Sequence, residues 1–182
     1  MTVAAVVLAA GPGSRFHGET HKLLAPLRGR RVVDWAVDHA SCLDDLIVVS
    51  GAVELGIDGA VHNERWAEGG LASSLHIALQ EADRRGHDAV VVAHGDQPGI
   101  PPSAWLAVAA SIDKPIAQAR YASDGRVGHP VRLAREVWAL VPKLGEEGAG
   151  PVIRERRHLV AEVACEGDPT DVDTLEDLHR WS

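Results

Sequence analysis

Aromatic residues and cysteine are scarce in this sequence of 182 residues, which holds one Tyr, one Phe, five Trp and two Cys. With so few aromatic residues, the core must be built from Ala, Val, Leu and Ile. Cys42 and Cys165 lie far apart and form no C-x-x-C motif, so neither a disulfide framework nor a zinc site is expected. This cysteine usage fits a reducing compartment and predicts a cytoplasmic protein.

An excess of positive charge and a long hydrophobic run are also missing. The 18 Lys and Arg stand against 26 Asp and Glu, for a formal net charge of −8, which argues against a protein that works on nucleic acid. The apolar start of the chain is too short to cross a membrane and lacks the positive residues that begin a signal peptide. We therefore expect no nucleic-acid partner and no membrane partner, while a local basic loop can still bind one phosphorylated small molecule.

Three short runs rich in Val, at 3–8, 46–49 and 89–93, are typical of central strands that are buried on both faces. The remaining pattern predicts helices at 32–40, 71–82, 104–111 and 174–181, and further strands at 115–121, 131–133 and 159–164. Pro101-Pro102-Ser103 can start the third helix, and Thr174 with Asp177 can cap the last one. The alternation predicts a single α/β domain over 1–182 with a mostly parallel sheet, and the Gly-rich stretch 145–150 predicts an active-site loop or a helix start.

The first candidate site is the stretch Leu8-Ala9-Ala10-Gly11-Pro12-Gly13-Ser14-Arg15, which directly follows the first predicted strand. Ligands of open α/β sheets bind at the carboxyl ends of the strands, and glycines let backbone N–H groups approach phosphate oxygens closely. Arg15 and Lys22 would add charged hydrogen bonds to a triphosphate. The stretch matches neither the Walker A motif nor the dinucleotide fingerprint, so on its own it also fits a plain strand-to-helix turn.

Carboxylates and one histidine form the other candidates. Asp96 follows a buried strand, where a carboxylate can bind Mg²⁺ together with substrate phosphates; the alternative is an Asp that caps a turn. Asp171 and Asp173 point the same way if the chain is extended and can supply a second metal ligand; the alternative is capping of the last helix. His129 is held extended by the proline that follows it, and its alternative is a satisfied loop histidine.

Taken together, these motifs resemble those of the MobA-like NTP transferase family. The matching stretches occur in the family order and span nearly the whole chain: LAAGPGSRF, HKLLAPLRG, NERWAEGGLASSL, GDQP, GHPV, GEEGAG and DVDTLEDL. Within the family the sequence most resembles the molybdopterin cytidylyltransferase branch, through Ala9-Ala10-Gly11, Gly128-His129-Pro130 and Asp171-x-Asp173-Thr174. It departs from the family in the greater length of segment 16–21 and in Gly150, where the family often carries Arg.

The resemblance implies a Rossmann-like three-layer α/β domain of the nucleotide-diphospho-sugar transferase type. It implies an enzyme that moves an NMP, here CMP from CTP, onto the phosphate of molybdopterin or the molybdenum cofactor and releases pyrophosphate, with Mg²⁺ as cofactor. A partner enzyme can deliver or accept the cofactor. The alternatives are a transferase for another phosphorylated acceptor, a nicotine-blue-type oxidoreductase of the same fold, and a regulator that binds nucleotide without turnover.

The resemblance also implies roles for individual residues. It implies that Arg15, Lys22 and Asp96 are catalytic. It implies that Gln97 and His129 bind the acceptor, and that Asp96, Asp171 and Asp173 bind the metal. The residues implied in nucleotide binding are Leu8, Ala9, Ala10, Gly11, Gly13, Ser14, Arg15, Lys22, Ser50, Ser74 and Asp96. Ala10 stands where guanylyl-transferring relatives resemble A-G-G, and its methyl group narrows the space for a base, which favours CTP.

Overall fold

The computed structural model describes residues 1–181, and nine strands are found there. They are β1 (Val3–Ala9), β2 (Pro26–Leu27), β3 (Arg30–Arg31), β4 (Asp45–Ser50), β5 (Val61–His62), β6 (Ala89–His94), β7 (Ile116–Tyr121), β8 (Val127–Ala134) and β9 (Val160–Cys165). Seven of them form one sheet in the order β5-β4-β1-β6-β8-β7-β9, while β2 and β3 form a separate hairpin. Only the two pairings of β8, with β6 and with β7, are antiparallel in the main sheet, so the predicted mostly parallel sheet is confirmed.

Five α-helices accompany the strands in the described residues. They are α1 (Val32–Ala40), α2 (Trp66–Arg84), α3 (Pro102–Ala110), α4 (Gly150–Glu155) and α5 (Leu175–Trp181). Short 3-10 turns lie at Lys22–Leu24, Arg135–Leu140 and Arg157–Leu159. None of the described helices is long and apolar enough to cross a membrane.

The central strand β1 explains why the fold has three layers. Its sequence VAAVVLA is almost wholly buried, and successive side chains point to opposite faces of the sheet. Ala5, Val7 and Ala9 join a core that contains residues of α1 and α3, whereas Val6 and Leu8 join a core that contains residues of α2. The sheet is therefore covered by helices on both faces, as the resemblance to Rossmann-like transferases implies.

Two elements extend beyond their predicted bounds, and both are held by tertiary contacts. Helix α2 starts at Trp66 rather than at 71 and contains a break at Gly70, whose φ is 62°. Strand β8 starts at Val127 rather than at 131, because Val127 and Gly128 also pair with β7, beyond a shift of register at Gln118 and Ala119. The cap of α5 is confirmed: the hydroxyl of Thr174 accepts from the Asp177 N–H at 3.1 Å, and the Asp177 carboxylate accepts from the Thr174 N–H at 2.9 Å.

Candidate active site

A cleft of about 650 Å³ opens where β1 and β6 end side by side. The two strands are parallel, and Leu8 and His94 are register partners at their carboxyl ends. The loop after β1 and the Gly95-Asp96 turn after β6 therefore share one edge of the sheet. The residues that line the cleft are Leu8, Ala9, Ala10, Gly11, Pro12, Lys22, Leu23, Trp66, Gly70, Leu71, Ser74, His94, Asp96 and Glu146.

The floor of the cleft is fixed by backbone bonds between neighbouring strand ends. The Gly95 N–H donates to the Leu8 carbonyl at 2.9 Å, and the Ala52 N–H donates to the Ala10 carbonyl at 3.0 Å. A methyl group added at Gly51 would lie 2.7 Å from the Cβ of Ala10 and 2.8 Å from its carbonyl oxygen. Since no real Cβ tolerates such contacts, only glycine at 51 allows the Ala10 backbone to come this close.

Lys22 lies in the cleft because contacts of His21 hold the long loop before Lys22 in place. His21 caps the 3-10 turn: its Nδ1 accepts from the Leu23 N–H at 3.3 Å, and its Nε2 lies 3.2 Å from the Gly11 carbonyl. One neutral tautomer, with the proton on Nε2, satisfies both contacts. Burial lowers the pKa of His21, which keeps this neutral form. The additional residues 16–21 therefore do not displace Lys22 from the site.

The Lys22 ammonium lies between two carboxylates. Its Nζ donates to Asp96 Oδ2 at 2.5 Å and to Asp173 Oδ1 at 2.8 Å, and all three side chains are less than a fifth exposed. Burial opposes the charge on Lys22, yet the two carboxylates raise its pKa overall. Arg15, which is 74% exposed, contacts the other oxygen of Asp173 at 2.8 Å. A charged lysine thus lies at the ends of the strands, while the largely exposed Arg15 contacts Asp173 from the solvent side.

The structure distinguishes the surroundings of Asp171 and Asp173, which the sequence left equivalent. They flank Val172, which is fully buried and donates its N–H to the Asp96 carbonyl at 2.8 Å. Asp173 is occupied by its two cations, whereas Asp171 Oδ1 is buried without a hydrogen-bond partner, as is Asp96 Oδ1. Asp171 is therefore the better of the two as a metal ligand.

His94, which the sequence analysis did not name as a candidate, lies beside Asp96 and Asp171. His94, Asp96 and Asp171 can each offer one ligand atom within 4.8 Å of the others, and His94 Nε2 is buried without a partner. Burial opposes protonation of His94, but Asp171 and Asp96 raise its pKa. The ring of His129 lies 4.2 Å away, centroid to centroid; burial first, and then the neighbouring His94, lower the pKa of His129 to about 3. His129 is therefore neutral.

The structure brings together many of the residues named from the sequence, but not all. Leu8, Ala9, Ala10, Gly11, Lys22, Ser74 and Asp96 line the cleft. Gly13, Ser14 and Arg15 lie on the outer part of the loop, and Ser50 lies at a neighbouring depression, where its Oγ is 3.4 Å from His62. Their roles in nucleotide binding stay predictions.

The two predicted acceptor residues differ in their surroundings. Gln97 is 5% exposed; its oxygen accepts from the His94 N–H at 3.1 Å, and its amide donates to the Pro169 carbonyl at 2.9 Å. These bonds hold the turn and the C-terminal segment together, and Gln97 is not among the residues that line the cleft. His129 lines a second pocket beside the cleft. Acceptor binding by either residue stays a prediction.

The Gly-rich stretch 145–150, which the sequence predicted to be an active-site loop or a helix start, closes the cleft from the side of α2 and leads into α4. The Ala72 N–H donates to the Gly145 carbonyl at 2.8 Å, and the Gly145 N–H donates to the Gly69 carbonyl at 3.0 Å. A methyl group at Gly70 would lie 2.6 Å from that carbonyl oxygen of Gly145, so the close approach needs glycine. The contact carries Glu146 into the cleft. The contact of this stretch with Gly69 and Gly70 was not predicted from the sequence.

Comparison with known proteins relates this site to one family. The family model of the MobA-like NTP transferase domain matches residues 5–162. Rv0371c from Mycobacterium tuberculosis H37Rv is 33% identical and superposes with a TM-score of 0.80 over 100% of this chain and 97% of that chain. Its complex with manganese gives 31% identity and a TM-score of 0.77 over 100% of this chain and 98% of that chain.

Two other relatives differ in how much of their length is matched. A nucleotidyl transferase from Methanothermobacter thermautotroptrophicus is 26% identical, with a TM-score of 0.80 over 98% of this chain and 95% of that chain. The bifunctional protein GlmU of Mycolicibacterium paratuberculosis is 30% identical over 171 residues, which cover 92% of this chain and 34% of that protein. The chain thus spans about a third of the length of this curated relative. Because the family model covers most of the sequence, the chain belongs to the family of MobA-like NTP transferase domains.

Proposed function

We propose that the protein is a nucleotidyltransferase that moves CMP from CTP onto the phosphate of molybdopterin or the molybdenum cofactor and releases pyrophosphate. The observation that carries the proposal is the group of Lys22, Asp96 and Asp171 at the end of the glycine-containing loop. It combines a buried ammonium with two carboxylate oxygens that accept no hydrogen bond, one of which lies 3.9 Å from His94 Nδ1. The similar protein named a nucleotidyl transferase supports the reaction class, and the cytidylyl and molybdopterin assignments rest on the sequence motifs.

A divalent cation fits the charges of this cleft. Asp96, Asp171, Asp173 and Glu146 bring four carboxylates to it or to its edge, against the ammonium of Lys22 and the exposed Arg15. A triphosphate would be repelled by such a surface unless cations intervened. Carboxylate oxygens are the protein ligands that Mg²⁺ prefers, and Asp96 Oδ1 and Asp171 Oδ1 are buried and accept no hydrogen bond.

We assign Mg²⁺ to these two carboxylates, with His94 beside them. The manganese complex of the similar Rv0371c supports a divalent ion in this family. When bound, the ion supplies positive charge that neutralises the triphosphate and stabilises the leaving pyrophosphate.

The protein's own residues then act by positioning and by charge. Backbone N–H groups of the loop after β1 bind phosphate oxygens, and Lys22 places a point charge on them. The phosphate of the acceptor attacks the α-phosphorus, and the bond to the pyrophosphate breaks on the opposite side. No side chain of the protein becomes a covalent intermediate. Burial raises the pKa of both Cys42 and Cys165, which makes them poor nucleophiles.

The experiment that tests the proposal is pyrophosphate release with each of the four NTPs, with and without molybdopterin, in Mg²⁺. We expect release only when CTP and molybdopterin are both present. Binding of CTP without pyrophosphate release for any phosphorylated acceptor would identify a regulator instead. Tight NADH binding without NTP binding would identify an oxidoreductase.

The methyl group of Ala10 is expected to contribute to the choice of base. Ala10 is 5% exposed and lines the cleft, so Ala10→Gly enlarges the space without touching Lys22. Steric terms of this size are worth about 1–3 kcal/mol. The ratio of kcat/KM for CTP to that for GTP should fall by roughly ten- to two-hundred-fold. An unchanged ratio would mean that the base is read elsewhere.

Gly11→Ala tests whether the loop after β1 approaches the nucleotide. Gly11 lines the cleft, its φ is not in the left-handed region, and an added methyl group meets nothing within 4 Å. We expect the melting temperature to stay unchanged, while the Kd for CTP rises by roughly ten-fold or more, since the methyl group occupies the space of the phosphates. Titration calorimetry and thermal unfolding on the same sample measure both quantities. A normal Kd would move the phosphates away from Gly11.

A further inference from the structure

Three polar side chains meet in a buried contact between the segment after β5 and helix α2. Asn63 is 1% exposed, and the two serines of α2 that it contacts, Ser73 and Ser74, are 8% and 3% exposed. Of the three, Ser74 lines the cleft. Buried polar groups need hydrogen-bond partners, so the direction of each bond in this contact determines what Ser74 offers to a bound nucleotide.

The backbone around Asn63 fixes which end of its amide faces α2. The side-chain oxygen Oδ1 accepts from the Arg65 N–H at 2.9 Å, and a backbone N–H can only donate. The amide nitrogen Nδ2 therefore faces α2, where it lies 2.9 Å from both Ser73 Oγ and Ser74 Oγ. Because this nitrogen carries two hydrogens and accepts no hydrogen bond, each serine oxygen accepts one of its protons.

The two serine hydroxyls differ in where their own protons point. Ser73 donates to the Gly70 carbonyl at 2.8 Å, as serines within helices often do. For Ser74, the bond from Asn63 is the one hydrogen bond that its side chain makes within residues 1–181. A hydroxyl has one proton and two lone pairs, so Ser74 uses a lone pair for Asn63 and keeps its proton. That proton is available to an acceptor in the cleft.

We infer that Asn63 is a positioning residue of the nucleotide site: its amide makes Ser74 present a proton, rather than a lone pair, to an acceptor atom of the bound NTP. The inference rests on the proposed function, because Ser74 must then contact the nucleotide. Asn63 acts through Ser74, and no bond is made or broken at either residue. Without the amide, the Ser74 hydroxyl is free to turn its proton to a carbonyl of its own helix, and the nucleotide loses a donor of fixed orientation.

A double-mutant cycle between Asn63 and Ser74 tests the inference, with the Kd for CTP in Mg²⁺ measured by titration calorimetry. Ser74→Ala should raise the Kd by about ten-fold, the loss of one hydrogen bond, and Asn63→Ala should raise it by roughly three- to ten-fold. The double variant should bind CTP as Ser74→Ala does, because the amide acts only through that hydroxyl. A residue that merely supported the fold would weaken binding equally in both backgrounds.

His87→Ala is the control for a loss of stability without an effect on the site. His87 is buried just before β6, at the end of that strand opposite to the cleft, and its Nε2 lies 2.8 Å from Asp45 Oδ2. Removing this contact should lower the melting temperature, as Asn63→Ala also should, but the Kd for CTP should stay normal.

Asn63→Asp is a second variant, which keeps the shape of the side chain and the bond from the Arg65 N–H but reverses the contact with α2. A carboxylate accepts and cannot donate, so the Ser74 hydroxyl should turn its proton away from the cleft. The Kd for CTP should rise by about ten-fold or more when Ser74 is present and much less in the Ser74→Ala background. Repulsion between the new charge and the triphosphate acts in both backgrounds and cancels in the comparison.

Equal effects of the Asn63 variants in the two backgrounds, or a normal Kd for CTP in Ser74→Ala, would overturn the inference. If Asn63→Ala fails to fold, the cycle with Asn63→Asp decides in the same way. A wild-type protein that binds no NTP would instead contradict the proposed function.

Discussion

Asp96→Asn should lower pyrophosphate release by roughly 10²- to 10³-fold, the usual cost of one electrostatic contact in a transition state. Asp96 is the only carboxylate in the described residues that both binds the Lys22 ammonium, at 2.5 Å, and turns an unpartnered oxygen toward Asp171. Asparagine keeps the shape of the side chain but loses the charge that the metal and the lysine need. The measurement is turnover with saturating CTP, acceptor and Mg²⁺.

A matched variant separates the site from a general effect of removing one negative charge. Asp113 is exposed on the loop after α3 and makes no ion pair within the described residues, so Asp113→Asn should turn over like the wild type. Both variants should unfold cooperatively, because Asp173 still pairs with the Lys22 ammonium when Asp96 loses its charge. Normal turnover by Asp96→Asn would show that the metal is bound elsewhere.

Lys22→Ala should have the second large effect, on stability as well as on the reaction. Removing the ammonium leaves Asp96 and Asp173 close together and partly buried, and breaking a buried ion pair costs about 3 kcal/mol. Binding of CTP and turnover should fall by about 10²-fold, since the charge on the phosphates is lost, while the preference for CTP over GTP stays the same. Titration calorimetry, turnover with both nucleotides and urea unfolding measure these effects.

The metal dependence of unfolding gives the sharper part of this test. In Lys22→Ala, Asp96 loses its cation and Asp173 keeps only the exposed Arg15. The two carboxylates should then bind Mg²⁺ in place of the lysine, so the ion should raise the melting temperature more in the variant than in the wild type. Lys143→Ala, at an exposed lysine, is the control. Unaltered affinity and rate in Lys22→Ala would mean that Lys22 does not touch the phosphates, despite its position.

The sequence predicted those parts of the fold that local pattern determines. The strands at 3–8, 46–49 and 89–93 are recovered as β1, β4 and β6, because runs of buried Val ended by a polar residue or glycine suffice to define a strand. The start of α2 was missed, since Gly69 and Gly70 break the apolar period there and the turn depends on bonds to Gly145, which is distant in the sequence. The extension of β8 was also missed, because Gly128 and the proline that follows His129 are poor strand formers.

The sequence predicts the site only where the order of residues along the chain determines their position in the fold. Asp96 could be expected in the cleft because it follows a central strand. Asp171 and Asp173 could not be distinguished, since their difference lies in which one Lys22 contacts. His94 was missed because a polar residue in a buried strand gives no sign of whether the fold provides it with a partner. Its surroundings depend on how the sheet packs.

The central claim is that this cleft transfers the α-phosphoryl group with its nucleoside attached, and labelled CTP tests it most directly. The protein is incubated with Mg²⁺, molybdopterin and CTP that carries radioactive phosphorus at either the α or the γ position. We predict that the α label appears in the acceptor product, that the γ label appears only in pyrophosphate, and that Asp96→Asn lowers both by roughly 10²- to 10³-fold. Transfer of the γ label to the acceptor, or release of the α label as free CMP whether or not acceptor is present, would contradict the account.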